Sequence, residues 1–465
     1  MMMLAEASAL LATHGARATN AVRFTAVGTD SRTIVPGQLF VALRGEHFDG
    51  HAFTDAALAA GAAAAMVDAR WVREHPRDEN APLIVVDDTR LALGALAAGW
   101  RGRFDIPLIG VTGSNGKTTV KEMCAAILRA WVGDHDDVLA TQGNFNNCIG
   151  MPLTLLGLRA RHRAAVIEMG MNHPGEIAYL TGLTRPTVAV VNNAQRAHLA
   201  GLGTLAEIAR EKGRIYDGLG DGGVAVINAD DAHASDWRAV NTHREVVSFA
   251  MAGPATVRGR CTLHGLGARL ELDTPQGRAE CQLRVLGVHN VRNALAAAAA
   301  CLAAGAPLAA VTAGLADYDG AHGRLQRRAG PRGALILDDS YNANPDSVRA
   351  GIDVLTLMPG HTYLVLGDMG EVGESSAQAH DEVGGYAKSK GVGRLLTLGT
   401  MSAVAVRNFG EGGQHFGSVE ALVAALAPRL DANATVLVKG SRFMRMERVA
   451  DALAALAAPD PEGDD

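Results

Sequence analysis

Cysteine is scarce and scattered in this chain. Cys124, Cys148, Cys261, Cys281 and Cys301 are five in 465 residues, odd in number and without the paired spacing of a metal site. That excludes a disulfide framework and leaves reduced, buried thiols of the cytoplasmic kind. Long basic runs are missing too. With a formal net charge of −6 the chain has no electrostatic footprint for nucleic acid, although a few local Arg and Lys residues can still hold a small polyanion. Apolar runs of membrane length are equally lacking. The alanine-rich stretch from Ala294 to Ala313 is weakly hydrophobic and broken by Gly305 and Pro307. Met1 to Ala12 is apolar, but no Lys or Arg precedes Arg17, so an amphipathic first helix is expected and not a signal peptide. No internal repeat is found. The expectation is a cytoplasmic monomer with neither a membrane nor a nucleic acid as partner.

What is present describes a globular protein. Charged residues make up 20% and the hydrophobic set 48%, and 465 residues suffice for about three domains. The most informative segment is Gly110-Val111-Thr112-Gly113-Ser114-Asn115-Gly116-Lys117-Thr118-Thr119. An apolar stretch, Ile106 to Val111, reads as a buried strand and leads into it. Behind it Val120, Met123, Cys124, Ile127, Leu128 and Trp131 recur at helical spacing. Strand, glycine-rich loop and helix are the context of a phosphate-binding loop. Backbone N–H groups close around phosphate oxygens, and the helix start adds partial positive charge. Lys117 would reach the outer phosphates and Thr118 would offer its hydroxyl to Mg²⁺. Five residues, one more than usual, separate Gly110 from Gly116, which sets this loop apart from that of an ordinary GTPase or ATPase.

The fold class predicted is α/β in three units, 1–104, 105–323 and 324–465. The first is a small α/β unit with apolar runs at Gln38–Leu43, Ala63–Val67 and Leu83–Val86. The second has near-continuously apolar strands at Ile106–Val111, Ala164–Met169, Thr187–Val191 and Val224–Ile227, as parallel strands covered on both faces require. Thr112, Glu168, Asn192, Asn193, Asn228 and Asp230 arrive at their C-terminal ends, the edge where open α/β sheets hold ligands. Alternation from Val257 to Leu286 predicts short antiparallel strands, followed from Gly287 by a long alanine-rich helix. The third unit has strands at Ala334–Leu337, Tyr363–Leu366, Arg394–Leu398 and Thr435–Val438. The acidic tail Pro459 to Asp465 is expected to be disordered.

Several polar residues compete between two roles. Glu168 ends a buried strand, where it can meet a nucleotide-bound Mg²⁺ or act as a cap or surface acid. His198 and Lys212, read alone, are a solvated histidine and an exposed helix lysine. Asn290 and Asn293 can cap the helix they begin or bond an adenine edge. The loop Asp338-Asp339-Ser340-Tyr341-Asn342-Ala343-Asn344-Pro345 fits ligand contact or a plain turn.

Taken in order, these segments resemble the Mur ligase family, the ATP-dependent amide ligases of peptidoglycan synthesis, over nearly the whole chain. Within it the likeness is to members that join D-alanyl-D-alanine to a UDP-N-acetylmuramoyl tripeptide. The segments Thr29-Asp30-Ser31-Arg32, Gln142-Gly143-Asn144-Phe145-Asn146-Asn147 and Tyr341-Asn342-Ala343-Asn344-Pro345-Asp346-Ser347, the last supported by Leu366-Gly367-Asp368-Met369-Gly370-Glu371, carry that finer likeness. The resemblance implies a UDP-binding N-terminal domain, a central ATPase and a Rossmann-like C-terminal domain. It implies an acyl phosphate formed from ATP and attacked by the amine of D-alanyl-D-alanine. Gly113, Ser114, Asn115, Gly116, Lys117, Thr118 and Thr119 would bind ATP, with Asn293, Arg324, Asp339 and Asn342 on its adenosine or phosphates. Thr118, Glu168, His198 and a carbamylated Lys212 would hold two Mg²⁺ ions, and Lys117, Glu168, His198 and Lys212 would form the catalytic set. Ser31 and Arg32 would meet the uridine diphosphate end, and Asn144, Asn147 and Thr154 the rest of the substrate. A folylpolyglutamate-type ligase and a nucleotide-gated binding protein without catalysis are the alternatives.

Overall fold

Separate sheets of largely parallel strands organise the computed structural model, which describes residues 1–18, 22–46, 48–78, 80–197 and 199–457, with backbone alone at 199 and 200. His198 and the acidic tail therefore lie outside the described residues.

The N-terminal sheet has five strands in the order Arg17–Ala18, Leu83–Val86, Ala64–Asp68, Gln38–Val41 and Ala26–Gly28, all parallel except the first. The first helix is Leu4–Leu10, with Leu4 and Ala7 buried. Helix Thr89–Arg101 starts at Asp88, whose carboxylate accepts from Leu91 N at 2.9 Å, and it ends the unit. Its apolar face buries Leu93, Leu96 and Trp100 in a core continuous with Met151, Leu155 and Ile177 of the next unit. Each fully buried leucine contributes roughly 2 kcal/mol. The Trp100 indole donates to Leu158 O at 3.1 Å, and the Arg101 guanidinium donates to Thr184 O at 3.0 Å. These contacts join the first unit to the second.

The central sheet has nine strands. Their order is Gly277–Leu283, Gly267–Thr274, Val257–His264, Val246–Ala250, Val224–Asn228, Val188–Val191, Leu108–Thr112, Ala164–Glu168 and Val138–Ala140. The antiparallel pairs are confined to the segment 257–283, as the alternation there predicts. Leu108–Thr112 lies between the strands that follow it on opposite sides, which makes its C-terminal end the topological switch point. Register pairs Val111 with Glu168 and Thr112 with Val191, so Thr112, Glu168 and Asn192 share one edge.

The alanine-rich stretch is two helices, Val288–Ala303 and Leu308–Asp317, parted at the predicted Gly305 and Pro307. Ala294 and Ala296 to Ala300 are fully buried against helix Lys117–Val132. Small side chains permit this close approach, and at Gly314 a Cβ would lie 2.4 Å from the Ile127 Cα.

The third sheet runs Gln326–Ala329, Leu335–Asp339, Ala434–Lys439, His361–Gly367, Arg394–Leu398 and Gly413–Phe416, with only the first antiparallel. In the central and C-terminal sheets four strands escaped the sequence reading: Val138–Ala140, Val246–Ala250, Gln326–Ala329 and Gly413–Phe416. They are short, and the last two are partly exposed edge strands without a continuous apolar run. No helix among the described residues is long and apolar enough to cross a membrane.

Candidate active site

A cavity of about 750 Å³ opens at the switch point, between the central and C-terminal sheets. The phosphate loop forms its floor. Gly113 and Gly116 adopt φ of +156° and +78°, the left-handed region that glycine tolerates. Gly116 leaves room for neighbours as well, since a Cβ there would meet Asn293 Oδ1 at 2.3 Å. The loop is pinned by the adjacent strand edge. Asn115 N donates to Asn193 Oδ1 at 2.9 Å, Asn192 Nδ2 donates to Asn115 O at 2.9 Å, and Ser114 Oγ donates to Gln195 O at 2.9 Å. Helix Lys117–Val132 begins at Gly116 without a side-chain cap. Its first N–H groups and dipole are thus available to an anion.

Lys117 Nζ donates to Gly113 O at 2.9 Å and Ser114 O at 3.3 Å, holding its charge over the loop. Burial lowers its pKa and nearby Arg324 adds to this, while Glu168 opposes them. Glu168 is neither a cap nor a surface acid. It is buried, its Oε1 accepts from Asn146 Nδ2 at 2.7 Å, and its Oε2 is buried without a partner. A buried carboxylate oxygen left bare is costly, so the donor set fits a cation. Among the described residues no three His, Cys, Asp or Glu side chains cluster as a metal cage. One carboxylate and a loop hydroxyl beside a phosphate floor match Mg²⁺, which keeps waters and shares phosphate oxygens.

Lys212 corrects the reading of an exposed helix lysine. It lies in helix Leu205–Gly213 and is 1% exposed. Burial first, and then the charge of Lys117, push its pKa well below the ordinary lysine value. The capping role for Asn290 and Asn293 is also not the one observed. Asn290 Nδ2 donates to Leu286 O at 2.8 Å, Asn293 Nδ2 to Asn290 Oδ1 at 3.0 Å, and Asn192 Nδ2 to Asn293 Oδ1 at 2.8 Å. This relay of amides ties helix Val288–Ala303 to the phosphate loop. His289, on the same helix, is held neutral by burial, its pKa lowered to about 4.

The C-terminal unit closes the cavity from the other side. Arg324 Nη2 donates to Thr118 Oγ1 at 2.8 Å, and its guanidinium stacks 4.3 Å over the Tyr341 ring. Asp339 accepts from Lys439 Nζ at 2.5 Å, and Lys439 also donates to Asn342 O at 3.0 Å. The Asp338–Pro345 loop is more than a turn: Asn344 caps helix Pro345–Leu355 and donates to Asn115 Oδ1 at 2.8 Å. Arg196 bridges the units most heavily. Its guanidinium donates to Asp346 Oδ1 at 2.7 Å and Glu382 Oε2 at 2.9 Å, and Arg349 donates to the same Glu382 at 3.0 Å.

Of the remaining candidates, Asn144 and Asn147 line the cavity. Asn147 Oδ1 also accepts from Ile149 N and Gly150 N at 3.1 and 2.9 Å, which starts helix Gly150–Leu156. Thr154 Oγ1 donates to Gly150 O within that helix at 3.0 Å, and it does not line the cavity. Ser31 and Arg32 belong to a short turn of the first unit, also off the cavity wall, where Arg32 is paired with Asp30. Asn146 and Arg196 were assigned no role from sequence. A run of asparagines does not reveal which one turns inward, and Arg196 finds its partners 150 and 186 residues away.

Comparison with known proteins agrees with this geometry. The profile of the Mur ligase middle domain matches residues 111–301, that of the Mur ligase glutamate ligase domain 323–442, and that of the Mur ligase family catalytic domain 23–101. The chain is 43% identical to the UDP-N-acetylmuramoyl-tripeptide–D-alanyl-D-alanine ligase of Escherichia coli K12, over 93% of this chain and 94% of that one. It is similar to a crystal structure of MurF from Acinetobacter baumannii, with a TM-score of 0.88 and 35% identity over 97% of this chain and 98% of that one. It also resembles MurF from Thermotoga maritima in complex with ADP, with a TM-score of 0.81 and 28% identity over 93% and 97% of the two chains. The chain belongs to the Mur ligase family.

Proposed function

We propose that this chain is the ATP-dependent ligase that adds D-alanyl-D-alanine to UDP-N-acetylmuramoyl tripeptide, forming the pentapeptide precursor of peptidoglycan in the cytoplasm. The single cavity that gathers the phosphate loop, with Lys117, and a buried carboxylate with one bare oxygen carries this reading, and the buried Lys212 lies near enough to feel the charge of Lys117. The identity to the Escherichia coli ligase over almost the whole chain favours it over a folylpolyglutamate-type relative. A binder without catalysis has no use for a buried lysine poised to become a carbamate ligand beside the one that meets the phosphates.

The chemistry divides among the three units, 1–104, 105–323 and 324–465. The first holds the UDP end of the substrate through Ser31 and Arg32. Asn144, Asn147 and Thr154 hold and shape the loop that meets the rest of it. The tripeptide carboxylate is a poor electrophile, and transfer of the ATP γ-phosphoryl group gives it a good leaving group. Lys117 and the loop N–H groups stabilise charge on the phosphoryl group in flight. Asn293, Arg324, Asp339 and Asn342 orient the nucleotide. The amine of D-alanyl-D-alanine then attacks the acyl carbon and phosphate leaves. Thr118, Glu168 and His198 would hold Mg²⁺, which when bound adds positive charge beside the phosphates. Lys212 is the carbamate: its amine, made neutral by burial and by Lys117, takes up CO₂, and the product presents carboxylate oxygens to a hard cation.

The test is phosphate release measured with ATP, a UDP-muramoyl tripeptide and D-alanyl-D-alanine, each omitted in turn. Turnover that requires all three is expected. Turnover unaffected by D-alanyl-D-alanine, or satisfied by glutamate and a folate, overturns the reading.

A further inference from the structure

The carboxylate of Glu168 is buried at the end of its strand, and the backbone N–H of that residue donates to Thr141 Oγ1 at 2.9 Å. That bond fixes the strand end but not the side chain. What holds the carboxylate is Asn146, whose amide donates to Oε1 at 2.7 Å and leaves Oε2 bare. Asn146 is itself held tightly. Its N–H donates to Asn144 O at 2.7 Å, and its carbonyl accepts from Gly170 N at 2.9 Å. The lack of a side chain at Gly170 leaves room for the amide, since a Cβ there would sit 2.9 Å from Asn146 Oδ1 and 3.1 Å from Nδ2. Asn146 also lies between Asn144 and Asn147 on the loop lining the cavity.

We propose that Asn146 is the positioning residue of the metal carboxylate, and that it couples the substrate loop to the Mg²⁺ site. This rests on the reading of Glu168 as a metal ligand. By occupying Oε1, the amide turns Glu168 into a ligand through Oε2 alone and selects its rotamer before the cation arrives. Ordering of the Asn144–Asn147 loop by the UDP-substrate then sets the same carboxylate.

The experiment titrates Mn²⁺ into the ADP-loaded enzyme and follows free Mn²⁺ by its paramagnetic resonance signal. Asn146→Ala is expected to weaken Mn²⁺ binding about 10- to 100-fold, as loss of an outer-shell partner does. Gly170→Ala removes no functional group but displaces the amide, and it should weaken Mn²⁺ in the same direction. In the double variant Gly170→Ala should add nothing further, because both changes break one bond. Affinity for ADP without metal should stay unchanged in all three, which separates positioning from a folding defect. Saturating UDP-muramoyl tripeptide should tighten Mn²⁺ about fivefold or more in the native enzyme and not in Asn146→Ala. Glu168→Gln is the control. Native Mn²⁺ affinity in Asn146→Ala and Gly170→Ala, with loss in Glu168→Gln, overturns the proposal and leaves Glu168 as a ligand. Native affinity in Glu168→Gln as well removes the ligand and the proposal together.

Discussion

Lys117 and Lys212 are both lowered in pKa chiefly by burial, and the charge of Lys117 adds to the lowering at Lys212. On the proposed reading, a positive charge on both would repel, and phosphate at Lys117 with a carbamate on Lys212 would remove that repulsion. Lys117→Ala should lower turnover by roughly 10²-fold or more, because charge on the transferred phosphoryl group loses its stabiliser. Its thermal unfolding should change little, since a loop lysine adds little to a core; near-native phosphate release would rule the phosphate role out. Lys212→Ala should lose most ligase activity while still binding ATP, and concentrated acetate should restore part of it by supplying the missing oxygens. Lys212→Arg should stay inactive, as its guanidinium keeps the wrong sign and does not carbamylate. Full activity in that variant would sink the carbamate.

At the scale of elements, the phosphate loop depends on helix Val288–Ala303 as much as on its own glycines. Gly116 combines a left-handed φ of +78° with an Asn293 oxygen where a Cβ would go. Gly116→Ala should therefore cost about 1–2 kcal/mol from backbone conformation alone. It should also push Asn293 out of the relay that reaches the loop through Asn192. The expected readout is ADP affinity reduced about tenfold or more in a titration, since 1.4 kcal/mol is a factor of ten in binding. Far-ultraviolet circular dichroism should not change. Equal ADP affinity would show that the loop tolerates the shift and that the relay is not needed.

At the scale of the whole molecule, the C-terminal unit is docked on the phosphate loop by Arg196, Asn344 and Arg324, each reaching across a different side of the cavity. On the proposed division of ligands among the units, the docked form is expected to be the reactive one. Arg196→Ala removes the bonds to Asp346 and Glu382 and should lower kcat/KM by about tenfold, with weaker compaction on binding ATP and the UDP-substrate by small-angle scattering. The same bridge sets a pH dependence. The bond from Arg196 holds the Glu382 carboxyl below its ordinary value of 4.5. A carboxyl lowered on docking contributes fully above pH 4.5, and that contribution is lost as the pH falls through the lowered value. Ligand-induced compaction should therefore weaken below about pH 4.5 in the native protein, while Arg196→Ala shows no such step. Identical pH profiles for the two proteins would remove the bridge from the docking equilibrium.

The central fold and its ligand edge were legible in the amino-acid order because they depend on local pattern. Apolar runs at Ala164–Glu168 or Val188–Val191 announce covered parallel strands, and Gly113 and Gly116 announce a loop that only glycine can form. Edge strands such as Gly413–Phe416 carry no such pattern, since one side faces water and pairing alone makes them strands. The site was legible only in outline. That Lys212 is buried, that Asn293 links its helix start to the loop through Asn192, and that Asn146 is the asparagine facing Glu168 are decisions of packing. Each depends on which distant chain closes over the residue, and burial, orientation and charge partners belong to that closure, not to the residue's neighbours in sequence. Arg196 makes the point most plainly: its type is written in the chain, but its partners exist only when the third unit lies against the second.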